Sequence, residues 1–373
     1  MPDVKSLKVY FTEKQIEDII KDMRIVLSSG QLAAGKYVSK FEENWAKKNN
    51  CKYGIGVSSG GAALEIIFKS LNIKDKEVIV PTNTFVATSN AVSFAGGKIK
   101  FADISKKDMC LDLENIKKNL TEKTKAVCLV HIGGIISSEI EKITKFCEDN
   151  KIFLVEDAAH GHGSSFNSKF SGQFGIAAAY SFFSTKTLTS GEGGMILTDD
   201  DELDKKFRSL RDYGKKSQWE SFYTDLSSNY RMSNVVAALG AAQVEKADSN
   251  IEARVRVGRL YRQYLKHKDV CFQVEESHYK NVYWMNAFYL AENCIKSIQD
   301  LATYLKENNV DSRVLFKGMH QQPFILKSAH RPASANYEVT ETLSTRGLYI
   351  PSGSQLSEDT IKQISQVVLD FLG

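Results

Sequence analysis

The run YGIGVSSGGAALEIIFKSL, residues 53–71, sets a short strand-like segment, a turn of small residues and an apolar helical segment in immediate succession. The unit repeats downstream. EVIV (77–80) leads to FVATSNAVSFAG (85–96), followed by KIKFADI (98–104), KAVCLVH (125–131), a helix around 137–149 and IFLVEDA (152–158). Strands alternating with helices at this spacing predict βαβ units, and so an α/β fold built on a mostly parallel sheet. In such sheets ligands bind beyond the carboxyl ends of the strands, so the residues just after each strand are where chemistry is expected.

Farther along, VVAALGAAQVEKADSNIEARVRVGRLYRQYLKHK (235–268) reads as one long helix leaving this sheet. The texture then changes to an aromatic strand, VYWMNAFYL (282–290), a helix near 296–308, a short strand SRVLF (312–316) and a terminal helix at 358–372. The predicted division is a large domain over residues 1–250, with an N-terminal helical segment, and a smaller C-terminal α+β domain over residues 251–373. A chain of 373 residues is long enough for both.

Apolar residues make up 42% and charged residues 25%, which excludes a disordered or collagen-like chain. The 49 basic and 45 acidic residues are interspersed, with a net charge of +4 and no basic stripe, so no nucleic-acid partner is expected. The 6 cysteines form no CxxC pair and have no zinc-type histidine spacing, which predicts reduced, mostly buried thiols and no metal. The amino terminus lacks a signal-peptide core and no 18-residue apolar stretch occurs, so a cytoplasmic protein without membrane association is expected.

Three strand-end segments carry more polar and glycine residues than turns require. VSSGGAAL (57–64) joins a strand to a helix start, where backbone N–H groups and the helix dipole favour an anion; an ordinary capped turn reads the same way. In LVEDAAHGHGSSF (154–166), Asp157 closes an apolar strand and is placed to hold a protonated ring nitrogen. The other reading makes Asp157 a helix cap and leaves His160 and His162 in a surface loop; as metal ligands the two histidines lack a third partner. In AYSFFSTKTLTSGEGGMILT (179–198), Lys186 lies among aromatic, hydroxyl and glycine residues. It is either a surface lysine or a desolvated amine free to form a Schiff base. A phosphate cradle, a carboxylate and a lysine nucleophile together are the fixtures that pyridoxal phosphate requires.

On these residues the chain resembles the DegT/DnrJ/EryC1/StrS aminotransferases, the sugar aminotransferases of fold type I. The resemblance runs from SSGQLAAGKYVSKFEE (28–43) to IPSG (350–353), through VEDAAHGHG, SFFSTKTLTSGEGG and NYRMSNVVAALG. It implies a three-layer α/β fold, a pyridoxal phosphate that passes through its pyridoxamine phosphate form, and a homodimer with shared active sites. By that resemblance Lys186 bonds the cofactor and shuttles the proton, Asp157 pairs with the pyridine nitrogen, and His160 hydrogen-bonds the phenolic oxygen. Phe85 and Ala159 sandwich the ring. The phosphate falls to Gly60, Gly61, Ala62 and Ser181, and to Asn229 reaching across from a second subunit. Arg231 is a candidate anion contact or a structural ion pair. His320, in MHQQPF (319–324), matches a histidine that lies near the substrate or is a loop histidine of the small domain.

Two positions depart from the family pattern. Gly61 stands where relatives commonly carry threonine, and HIGGIISSEI (131–140) replaces an aromatic, proline-containing stretch that bears on the substrate mouth. The activity implied is transfer of an amino group, from glutamate as donor, to a keto carbon of a nucleotide-linked sugar for surface polysaccharide, capsule or glycan biosynthesis. A smaller phosphorylated ketone, such as a three-carbon phosphate, is the alternative acceptor. Dehydratase relatives replace the lysine, so Lys186 argues against that chemistry. The intact Lys186, Asp157 and His160 set argues against a non-catalytic cofactor-binding regulator.

Overall fold

Seven strands form the main sheet of the computed structural model, which describes residues 4–7, 9–216, 221–328 and 336–373. In chain order they are β1 (Tyr53–Val57), β2 (Glu77–Pro81), β3 (Lys98–Ala102), β4 (Thr124–Val130) and β5 (Phe153–Asp157). After a small hairpin, β6 (Ser165–Phe166) and β7 (Lys169–Phe170), come β8 (Ala177–Ser181) and β9 (Gly194–Thr198). The spatial order is β1-β9-β8-β5-β4-β2-β3. Strands β3, β2, β4, β5 and β8 run parallel, whereas β9 is inserted antiparallel between β8 and β1. The apolar runs explain this centre: Ala126–Val130 of β4 are buried throughout, as strands covered by helices on both faces must be.

The helices start where short polar side chains can cap them. Ser59 caps Gly60–Ser70 by accepting the Ala62 N–H at 3.1 Å, and Asp112, Asp200 and Ser233 do the same for Leu113–Asn119, Asp201–Arg211 and Asn234–Glu245. The expected single helix over 235–268 is two helices, Asn234–Glu245 and Ala247–Tyr264, separated at Lys246, whose φ of −110° lies outside the helical range. The first packs on Lys36–Lys48 and the second on the terminal helix Glu358–Leu372, so a straight rod could not serve both partners.

A second, wholly antiparallel sheet has the order β10-β12-β14-β13, formed by Val270–Phe272, Asn286–Leu290, Gly347–Ile350 and Arg313–Val314. Strand β11 (Tyr279–Lys280) pairs instead with β6. The chain between β11 and β12, with Trp284, is thereby drawn toward the carboxyl edge of the main sheet. Five of the cysteines are buried, Cys271 is half-buried, and none is in a disulfide. Among the described residues no helix is long and apolar enough to cross a membrane.

Candidate active site

The turn after β1, the end of β5 and the loop between β8 and β9 meet beyond the carboxyl ends of the parallel strands, around a cavity of about 460 Å³. Its walls include Gly60, Gly61, Phe85, Asp157, Ala159, His160, Ser181 and Lys186, closed over by Trp284, Arg313, Phe316 and Tyr349 from the C-terminal part. The sequence-predicted cradle, carboxylate and lysine therefore converge.

The first-turn N–H groups of a helix have no partner within it. Here Ser59 Oγ already takes the N–H of Ala62, which does not line the cavity, so the expected cradle contracts to Gly60 and Gly61 with the Ser59 and Ser181 side chains beside them. Gly60 is required by close approach: a Cβ there would sit 2.8 Å from Ser181 Cβ. At Gly61 the nearest atom would be Ala87 Cβ at 3.6 Å, an ordinary contact, so space does not require a glycine there.

Alternation along β5 sends its two carboxylates to opposite faces. Glu156 is wholly buried away from the cavity, bonded to His131 Nε2 at 2.8 Å and to the N–H groups of Gly172, Phe174 and Gly175. Asp157 faces the cavity. Its Oδ2 accepts Thr88 Oγ1–H at 2.7 Å, Thr88 is itself bonded to Thr84 Oγ1 at 2.8 Å, and Oδ1 accepts the Ala159 N–H at 3.2 Å. Burial pushes the Asp157 carboxyl above its usual range, because these bonds and the Lys186 charge offset only part of the desolvation.

His160 is buried and held neutral, first by desolvation and then by the Lys186 charge. Its Nδ1 accepts the Gly133 N–H at 3.3 Å, which leaves Nε2 to carry the proton. The turn that supplies this N–H is the HIGGI departure: Gly133 has φ +72°, and the carbonyls of Gly133 and Gly134 accept the N–H groups of Met285 and Val282. His162, by contrast, is enclosed by Trp45, Tyr180 and Phe182 and pushed down to about 3 by burial; it does not line the cavity.

Lys186 is only 9% exposed and has no ion pair among the described residues; burial lowers its amine to about 7, with Asp157 pulling the other way. The loop that carries it is tied at both ends. Ser181 pairs with Gly194, Phe182 N–H donates to Gly193 O, and Phe182 O accepts from Ser190 N–H and Thr189 Oγ1–H.

Three expected residues lie elsewhere. Asn229 is exposed and pairs with the backbone of Asp212, outside this chain's own cavity. Arg231 is a structural ion pair with Asp212, its guanidinium 5.4 Å from the Tyr213 ring centroid. His320 is buried off the cavity, with Nδ1 on Thr82 Oγ1 at 2.7 Å, Nε2 on Glu341 Oε1 at 3.1 Å and its ring stacked on Tyr337. Both side chains are thus committed to local partners. Sequence reasoning missed Thr88 and Trp284. Thr88 lies one helical turn beyond Phe85, a spacing that could have found it; Trp284 lies in a segment read only as an aromatic strand.

A buried carboxylate and a buried amine, each without an ion pair among the described residues and facing one cavity beside a helix N-terminus, suit a ligand with an anionic group, a basic ring nitrogen and a carbonyl carbon. Pyridoxal phosphate has all three, and these residues fit it. Residues 13–369 match the DegT/DnrJ/EryC1/StrS aminotransferase family. The chain belongs to that family. It is a pyridoxal phosphate-dependent aminotransferase. The chain is 32% identical to GDP-perosamine synthase of Vibrio cholerae over 92% of this chain and 94% of that protein. Among solved structures, the Helicobacter pylori aminotransferase PseC, of pseudaminic acid biosynthesis, superposes with a TM-score of 0.91 at 23% identity, covering 99% of both chains. The E. coli GDP-4-keto-6-deoxy-D-mannose-3-dehydratase, solved with bound hydrated PLP, also reaches 0.91 at 23% identity, covering 99% of this chain and 100% of that one. The fold is common to both, so the distinction between transamination and dehydration rests on Lys186.

Proposed function

We propose that this chain transfers the amino group of glutamate to a keto carbon of a nucleotide-linked sugar, for the assembly of a surface polysaccharide. The observation that carries the chemistry is the unpaired, buried Lys186 sharing a cavity with Asp157. The likeness to GDP-perosamine synthase over nearly the whole of both chains supports a GDP-linked acceptor first.

When bound, pyridoxal phosphate supplies an electron sink and carries the amino group between the two substrates. The N–H groups of Gly60 and Gly61, with Ser181, hold its phosphate. Asp157, kept in place by Thr88, binds the pyridine nitrogen; a cation there draws the raised carboxyl back to its charged form. His160 offers Nε2–H to the phenolic oxygen, and Ala159 and Phe85 flank the ring. Lys186 would hold the cofactor at its carbonyl carbon, the carbonyl oxygen leaving as water, and as a free amine would move the proton on or off the substrate carbon. A neutral amine is the form that acts, and burial makes it available near pH 7. Asn229 completes the phosphate site from a second copy of the chain in a homodimer. Residues 1–250 serve as the cofactor platform and 251–373 as a smaller domain over the acceptor, in a cytoplasmic protein.

The test is a panel of acceptors, GDP- and UDP-linked keto sugars and dihydroxyacetone phosphate, offered to enzyme whose visible cofactor band has been bleached by glutamate. A GDP-linked sugar should restore the band; restoration only by the three-carbon phosphate would replace the sugar reading. Lys186→Ala should lose the lysine-linked band and about a thousandfold or more in kcat.

A further inference from the structure

We propose that Trp284 is a positioning residue for the nucleophile: its indole fixes where the Lys186 amine rests and favours the protonated form of that amine. Lys186 Nζ lies over the ring, 4.1 Å from its centroid. The indole Nε1–H donates at 2.9 Å to the carbonyl of Thr185, the residue just before the lysine. The same indole stacks on His160, with centroids 3.8 Å apart and planes 20° from parallel. Its backbone neighbours are anchored as well, since Met285 N–H donates to Gly133 O at 3.2 Å and Val282 N–H to Gly134 O at 3.1 Å. One side chain, drawn from outside the segments that carry the lysine and the histidine, thus touches both.

The negative face of an indole attracts an ammonium more strongly where the pair is buried, as Lys186 and Trp284 both are. Burial opposes charge on Lys186. Asp157 at the end of β5 favours it, and His160 and His162 from the following loop oppose it when charged. Glu192 from the lysine loop and Arg313 from β13 line the same cavity. Trp284 adds a further favourable contact, holding a freed amine at one place between its two duties. The proposal rests on the reading of Lys186 as the nucleophile, and its test is separable from that reading.

Full-length Trp284→Phe, Trp284→Leu and unaltered chains, stripped of cofactor, are labelled competitively with acetic anhydride across pH, and Lys186 is read by peptide mass spectrometry. The apparent pKa of Lys186 should fall in the order Trp, Phe, Leu, by about one pH unit in all, a tenfold loss of proton affinity. An unchanged value in Trp284→Leu overturns the proposal. Equal falls in both variants also overturn it, because the effect would then belong to the lost Nε1–H bond rather than the ring face. Should Trp284→Leu fail to fold, Trp284→Met takes its place, and its value must lie below that of Trp284→Phe. Labelling needs neither cofactor nor substrate, so its failure leaves the role of Lys186, tested by Lys186→Ala, untouched.

Discussion

Burial sets the behaviour of the two ionisable groups that face each other across the cavity. Lys186 is held at about 7 against an ordinary 10.5, so between these values the unfolded chain binds more protons than the folded one. Stability of the cofactor-free protein therefore rises with pH through that interval, and the full penalty applies below about 7. Lys186→Met should remove this slope and stabilise the cofactor-free chain near pH 7 and below, by up to about 5 kcal/mol at about 1.4 kcal/mol per pH unit. Urea midpoints between pH 6 and 10 measure it, and a variant that tracks the unaltered protein would contradict the desolvation argument. Asp157→Asn keeps the size of the side chain while losing the charge. It should fold normally and lose about a hundredfold or more in kcat. Thr88→Val removes one bond to the carboxylate and should cost less.

Two turns hold the site, and their glycines answer to different demands. Gly133→Ala forces a side chain into the left-handed region and should cost about 1–2 kcal/mol by chemical denaturation. Gly60→Ala meets Ser181 instead and should weaken cofactor affinity, read by equilibrium dialysis, more than it weakens the fold. Much of this was legible in advance. Strands β1 to β5 lie within two residues of their expected places, whereas β8 (Ala177–Ser181) was given none, because its run of small residues, AAAYS, lacks the β-branched signature of a buried strand. Asp157, His160 and Lys186 stood out as polar residues after apolar runs. What stayed hidden was tertiary. Nothing in the residues around 246 marks the break in the long helix, which arises because its two halves pack on different partners. Arg231 and His320 looked available because their partners, Asp212 and Glu341, are set by folding, 19 and 21 residues away. Trp284 reaches the lysine only because β11 pairs with β6.

The proposed completion of the phosphate site by Asn229 of a second copy makes a demand on the whole assembly. Lys186→Ala and Asn229→Asp, each defective alone, should regain roughly a quarter of normal activity when unfolded together and refolded as mixed dimers, since half the dimers then carry one intact site. Recovery no greater than the sum of the separate variants would mean that each chain completes its own site. The antiparallel insertion of β9 has a reach of its own. It makes the lysine-bearing segment the tip of a hairpin whose ends are fixed by neighbouring strands, so the identity of residue 186 can change without redrawing the sheet around it. Substitutions at residue 186 should therefore act on stability through the buried charge they remove rather than through the pairing of β8 with β9.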